Sequence, residues 1–170
     1  MDAGGDGLDS NGSIEMNGGV VLIHGPTESM NGPVDIGDGG SSSFIVNGGF
    51  LVAAGSSGMA IAPNSASTQY SVLVNLDAQD AGTLFHLEQA SGQAVLTFAP
   101  RKTYESVLFS APNLGRGAYE VKLGGSYSGT ATDGLYQSGS YKGGDSSTEF
   151  TVTGITTTVG ERASGGPPGH

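Results

Sequence analysis

Ile14-Glu15-Met16-Asn17-Gly18-Gly19-Val20-Val21-Leu22-Ile23-His24-Gly25 is echoed further along the chain by Phe44-Ile45-Val46-Asn47-Gly48-Gly49-Phe50-Leu51-Val52-Ala53-Ala54-Gly55. Each stretch is a short apolar run, then Asn-Gly-Gly, then a second apolar run closed by glycine. The pattern reads as strand, tight turn, strand. Asn and Gly accept positive φ at little cost, and the β-branched and aromatic flanks suit strands. The runs are too short for helices, and no stripe of helical period crosses the glycines. A pair of hairpins and two successive coils of a parallel β-solenoid both fit. Recurrence of one turn with the same flanks favours the solenoid, because each coil can stack on its copy. In that arrangement Ile14, Met16, Val20, Leu22, Ile45, Phe50 and Val52 face inward.

Composition sets the outer limits. The 170-residue chain carries 31 glycines, no cysteine and no tryptophan, with a formal net charge of −10. Glycine this frequent without a three-residue period excludes collagen, and regular apolar runs argue against simple disorder. The chain reads as turn-rich and all-β. A disulfide framework is ruled out. No apolar run approaches the ~20 residues that span a bilayer, so membrane insertion is not expected. Met1 leads straight into repeat-like sequence without a signal peptide, which reads as part of a longer secreted protein. The acidic balance speaks against nucleic acid, whose phosphates demand clustered Lys and Arg.

Charge is unevenly spread. Residues 1–67 hold no Lys or Arg, and all six basic residues lie between Arg101 and Arg162. Carboxylates in the first segment therefore have no basic neighbour along the chain. They are either solvated charge or ligands for a hard cation. This break divides the chain into coils over 1–67, an antiparallel β region over 68–160 and a Gly/Pro-rich tail over 161–170.

Asp6, Asp9 and Asn11 recur at short intervals among glycines, and Asp35 and Asp38 form a looser counterpart before the second Asn-Gly-Gly stretch. Ca²⁺ takes roughly six to eight oxygen ligands on a backbone able to turn sharply. These five residues are the candidate calcium ligands; the competing reading makes them turn formers that bond to nearby backbone. The spacing is not that of an EF-hand loop.

The second half carries strand signals at regular spacing. Ser71–Leu76 is an apolar run. Thr83–Glu88 and Ala94–Phe98 flank Ala90-Ser91-Gly92-Gln93 as a hairpin. Tyr104–Ser110 stops at Pro112, and Gly117–Leu123 alternates Tyr119, Val121 and Leu123 with polar Glu120 and Lys122. Phe150–Ile155 supplies a last strand. A small antiparallel sandwich capping the coils is expected, since an open solenoid end exposes strand edges.

Catalytic chemistry finds little support. There is no cysteine nucleophile and no nucleophile elbow around a serine. His24 closes an apolar run and His86 sits mid-strand, and each reads as a packed or surface strand residue rather than a base, since a catalytic His needs an orienting partner. The coil segment has no Lys or Arg to serve as a lyase base. The chain reads as a non-enzyme. Tyr127, Tyr136 and Tyr141 cluster in a Gly/Ser/Thr-rich stretch, where half-wet aromatics suit sugar stacking or cover a sheet edge.

Gly5-Asp6-Gly7-Leu8-Asp9-Ser10-Asn11-Gly12-Ser13, the Asn-Gly-Gly strand and Gly25-Pro26-Thr27 resemble a family of secreted bacterial carbohydrate-binding proteins. Ala53-Ala54-Gly55-Ser56-Ser57-Gly58-Met59-Ala60, Ala81-Gly82-Thr83-Leu84, Thr132-Asp133-Gly134-Leu135-Tyr136 and Gly139-Ser140-Tyr141 extend the resemblance over roughly residues 4–160. It implies a right-handed parallel β-helix shaped like pectate lyases. It also implies bound calcium, plant cell-wall polysaccharides such as cellulose and polygalacturonate as partners, no catalysis, and an extracellular or cell-surface location. The competing class is a structural subunit of an extracellular fibre, self-assembling through the N-terminal coil edge or the C-terminal tail.

Overall fold

The two Asn-Gly-Gly stretches become two long strands, β2 (Ile14–His24) and β4 (Phe44–Gly55), in a computed structural model that describes residues 1–162. Asn-Gly-Gly is thus not a turn between strands. It is an irregularity inside one strand: β2 and β4 pair parallel, and the register shifts between Met16 and Asn17 and again before Val20. Gly19 and Gly49 hold φ of 84° and 99°, the left-handed conformation that a bulge needs and glycine supplies. Asn47 donates from Nδ2 to Asn17 Oδ1 and to Glu15 Oε1, both at 3.1 Å, so side chains stack where the backbones slip.

The irregularity changes which residues face the core. In β4, Phe44 and Val46 share a face with Leu51 and Ala53, an even pair with an odd pair. The expected inward set is corrected accordingly. Met16 and Val52 are buried and Ile14, Leu22, Ile45 and Phe50 half-buried, but Val20 is 67% exposed. Leu22, Phe50 and Val52 also lie on the opposite face from Ile14 and Met16.

Parallel stacking of coils does not continue. Beside β4 lies β8 (Tyr104–Ser110), which runs antiparallel to it and antiparallel to β5 (Ser71–Gln79). With β15 (Thr156–Val159) they form a mixed five-stranded sheet of order β15-β5-β8-β4-β2. The first part of β4's edge is closed by the connection to β5. Phe44 N–H donates to Asn64 Oδ1 (2.7 Å), Val46 N–H to Ser67 Oγ (3.0 Å), and Gln69 N–H to the Val46 carbonyl (3.1 Å). A further parallel coil therefore cannot join β4 on that side. The right-handed parallel β-helix with an antiparallel cap is not formed: the chain is all-β, in small mixed sheets with a largely antiparallel, sandwich-like arrangement.

Both faces of the five-stranded sheet are covered. Val52, Ala54, Val72, Val74, Val107 and Phe109 meet a second sheet, of order β11-β12-β7-β6-β9-β14. Its strands are β6 (Phe85–Gln89), β7 (Ala94–Phe98), β9 (Gly117–Leu123), β11 (Ala131–Thr132), β12 (Leu135–Tyr136) and β14 (Asp145–Val152). Phe85, Leu87, Leu96, Phe98, Tyr119 and Val121 fill that interface. Leu51, Ala53, Leu73 and Leu108 point the other way, onto Val34, Leu8 and Ile36 of the parallel pair β1 (Leu8–Ser10) and β3 (Val34–Ile36) and onto Ala60. This double burial accounts for the unbroken apolar runs of the central strands.

The boundary near residue 67 falls between β4 and β5, which belong to one sheet. A last pair, β10 (Ser126–Tyr127) with β13 (Tyr141–Lys142), lies in the stretch between β9 and β14. Of the expected tail, residues 163–170 lie outside the described residues. Arg162 donates from Nη2 to the Ala60 carbonyl at 2.8 Å.

Candidate functional site

Two of the three tyrosines come together. Tyr127 on β10 and Tyr136 on β12 stand with ring centroids 4.6 Å apart and tilted 39°. Gly129 makes room for the first ring: a Cβ there would lie 1.8 Å from the Ser138 carbonyl oxygen and 2.9 Å from Tyr127 Cε1. Tyr136 is placed by a two-residue hairpin loop, Asp133-Gly134, with φ of 49° and 79°. Both central residues in the left-handed region make the loop that joins twisted antiparallel strands, and Asp-Gly is a preferred pair for it.

The tyrosines border a cleft of about 310 Å³. Phe50 from β4 and Leu96 from β7 supply apolar surface, and Asn113 and Gln137 supply carboxamides. Asn113 is fixed by a bond from Nδ2 to the Val95 carbonyl at 3.2 Å. Among the described residues, no charged side chain lines this cleft. Aromatic surface beside two carboxamides, one of them held in place, suits a ligand with apolar faces and hydroxyl rims. A larger hollow of about 510 Å³ lies against Asp77, Glu161 and Arg162, with no aromatic side chain among the described residues that line it. Size alone does not make it the better site, because it lacks convergent apolar surface.

Tyr141 is not part of the cleft. Its ring lies flat on His86, with centroids 3.8 Å apart and an 8° angle, and its hydroxyl donates to the Gly124 carbonyl at 3.0 Å. Beneath it the sequence reading missed an array. His86 Nε2 lies 3.1 Å from Glu88 Oε2, which as a carboxylate accepts, so Nδ1 accepts from Thr97 Oγ1 at 2.7 Å. Glu88 also takes the Lys122 ammonium. Burial pushes the His86 imidazole below its ordinary pKa despite Glu88. Burial pushes Glu88 up, but the bonds from Lys122 and His86 outweigh it and leave the carboxyl below the usual range. Hydroxyl, imidazole and carboxylate stand in hydrolase-triad order, with His86 1% exposed under the tyrosine ring and Thr97, 4% exposed, at the border of the cleft. The signal was available: His86 and Glu88 share a strand face, and a hairpin puts Thr97 opposite His86.

The five acidic-loop residues come only partly together. Asp9 and Asp35 are register partners in the parallel pair β1–β3. Asp6 Oδ1 accepts the Gly32 N–H at 2.8 Å, a bond to a segment 26 residues further along the chain rather than a local turn. Asn11 and Asp38 are exposed. Among the described residues, no three His, Cys, Asp or Glu side chains form a group that could hold a metal ion. Burial, followed by the charges of Asp6, Asp9 and Asp38, raises the Asp35 carboxyl above its ordinary pKa. A raised carboxyl penalises the fold where it is ionised, and the penalty disappears as pH falls below the unfolded value. Asp35→Asn should thus raise the thermal midpoint at neutral pH and leave it unchanged near pH 3. Thermal scans at the two pH values check this, and an equal shift at both would assign the effect to packing.

No protein-family model, curated protein or solved structure matches this chain.

Proposed function

We propose that the chain is a non-catalytic carbohydrate-binding protein acting outside the cell, and that the Tyr127–Tyr136 cleft takes a polysaccharide. The observation that carries this reading is the pair of adjacent tyrosine rings beside two carboxamides in an uncharged, partly apolar cleft. Pyranose rings present apolar C–H faces and equatorial hydroxyls, which match ring faces and amides respectively. The motif resemblance to secreted polysaccharide binders supports the same ligand class. A net charge of −10 opposes a uronate polymer over roughly the ~8 Å screening length of physiological salt. The uncharged cleft therefore favours a neutral glucan over an acidic pectin.

Affinity electrophoresis through soluble neutral glucan and through polygalacturonate tests the reading. The protein should be retarded by the glucan alone, and Tyr136→Ala should weaken retention on the order of tenfold, the loss of ~1–1.5 kcal/mol of ring contact. Tyr141→Phe, outside the cleft, should bind as wild type. Unretarded migration in both polymers would end the proposal. If that result came with concentration-dependent, salt-resistant polymers, it would move the reading to self-assembly.

A further inference from the structure

His24 ends β2 and is 1% exposed, yet both its ring nitrogens are engaged by another part of the chain. Arg101 N–H donates to Nδ1 at 3.1 Å. A backbone N–H can only donate, so Nδ1 carries no proton. The proton must then sit on Nε2, which donates to the Asp133 carbonyl at 3.0 Å. One ring face is closed by Phe98, stacked at 5.0 Å. The bond partner Asp133 is the non-glycine residue of the hairpin loop, with φ of 49°. Gly134 follows, where a Cβ would lie 3.0 Å from His24 Cε1. Beyond the loop come Leu135 and Tyr136.

We propose that His24 is a proton-operated latch: neutral, it fastens the β11–β12 hairpin and so Tyr136 in place, and protonated, it releases them. A second proton has only Nδ1 to occupy, where it would face the Arg101 N–H, donor against donor. The charged ring must leave its site to find water, and leaving breaks the Asp133 bond as well. The charged groups around it divide. Asp2 beside the end of β2 favours the proton, while Arg101 and the Met1 amino group oppose it. Lys102 is held by Asp2 at 2.8 Å, and the Asp133 carboxylate by Arg101 at 2.6 Å, which spends much of both carboxylates on other partners. Burial is the largest influence and lowers the imidazole from its ordinary value. The sign follows. The unfolded or released chain binds the proton more readily, so the fastened state is fully favoured above about pH 6.5 and loses ground as pH falls below it.

The effect on ligand rests on the glycan-binding reading; the latch itself does not. Two-dimensional amide NMR of the full chain between about pH 7.5 and pH 5 reads the latch without ligand. Gly134, Leu135 and Tyr136 amides should shift with one common midpoint below 6.5 and exchange faster with solvent in acid. His24→Gln, whose carboxamide offers one acceptor and one donor but no titration, should abolish that common transition. Retention by glucan should fall roughly tenfold or more over the same range in wild type and stay level in His24→Gln. Hairpin amides that stay put through the His24 titration would overturn the latch, and so would a transition that persists in His24→Gln. If the Gln variant does not fold, the wild-type amide titration decides alone. A hairpin transition without glucan retention at any pH would keep the latch and discard the glycan reading.

Discussion

Phe109→Ala is expected to lower the free energy of unfolding by roughly 3–5 kcal/mol and Leu108→Ala by roughly 2–5 kcal/mol, read from denaturant titration. The two residues are neighbours on β8, the strand between β5 and β4. They point to opposite faces, as strand neighbours must. Phe109 is 1% exposed, in the interface with the six-stranded sheet, with its ring edge-on to Phe50 at 5.6 Å. Leu108 is 2% exposed, on the face covered by β1, β3 and Ala60. A two-layer sandwich would leave one of them on the surface, where truncation costs within about 0.5 kcal/mol. Large losses at both positions require cover on both faces. Typical domains hold only about 5–15 kcal/mol, so either change removes a substantial share. Val20→Ala, at an exposed position of the same sheet, is the control and should be near neutral. A Leu108→Ala loss no larger than that of Val20→Ala would refute the cover by β1 and β3.

The all-β class, the hairpin of β6 and β7, and the alternation in β9 are legible because each depends on residues close in sequence. So is the likeness of the two Asn-Gly-Gly stretches, which do lie side by side and parallel. Misleading was the step from likeness to solenoid. Whether β4's other edge receives a further coil or an antiparallel strand depends on Tyr104–Ser110, whose apolar run names no partner. Nothing local says that Asn64, Ser67 and Gln69 turn their polar groups onto that edge. The same holds for the site. Tyr127 and Tyr136 could be picked out as polar-tipped aromatics in a glycine-rich stretch, but so could Tyr141, which instead covers His86. Phe50 and Asn113 reach the cleft from distant parts of the chain, and only tertiary packing selects them. In the acidic loops the sequence shows five oxygen-bearing residues at short intervals, while the side-by-side register of Asp9 and Asp35, the bond from the Gly32 N–H to Asp6 and the exposure of Asn11 and Asp38 come only with the fold.

Gly49→Ala should destabilise the protein by roughly 3–5 kcal/mol, whereas Gly19→Ala, at the matching position of the other copy, should cost only about 1–2 kcal/mol. Both glycines have positive φ, so any L-residue pays the left-handed strain at either site. The difference lies in what surrounds them. A Cβ on Gly19 meets nothing within 4 Å, because it belongs to the outermost strand of the sheet. A Cβ on Gly49 would stand 2.8 Å from the Gly18 carbonyl carbon, 2.8 Å from the Gly19 carbonyl oxygen and 2.6 Å from Met16 Cε. The methionine end can swing away, but the two backbone atoms cannot without pulling β2 off β4. Strain and collision therefore add at Gly49, while strain acts alone at Gly19. Chemical denaturation of the two variants side by side measures the gap. Equal losses would mean that β2 and β4 do not stack bulge on bulge, and the parallel pairing through Asn17 and Gly48 would have to be abandoned.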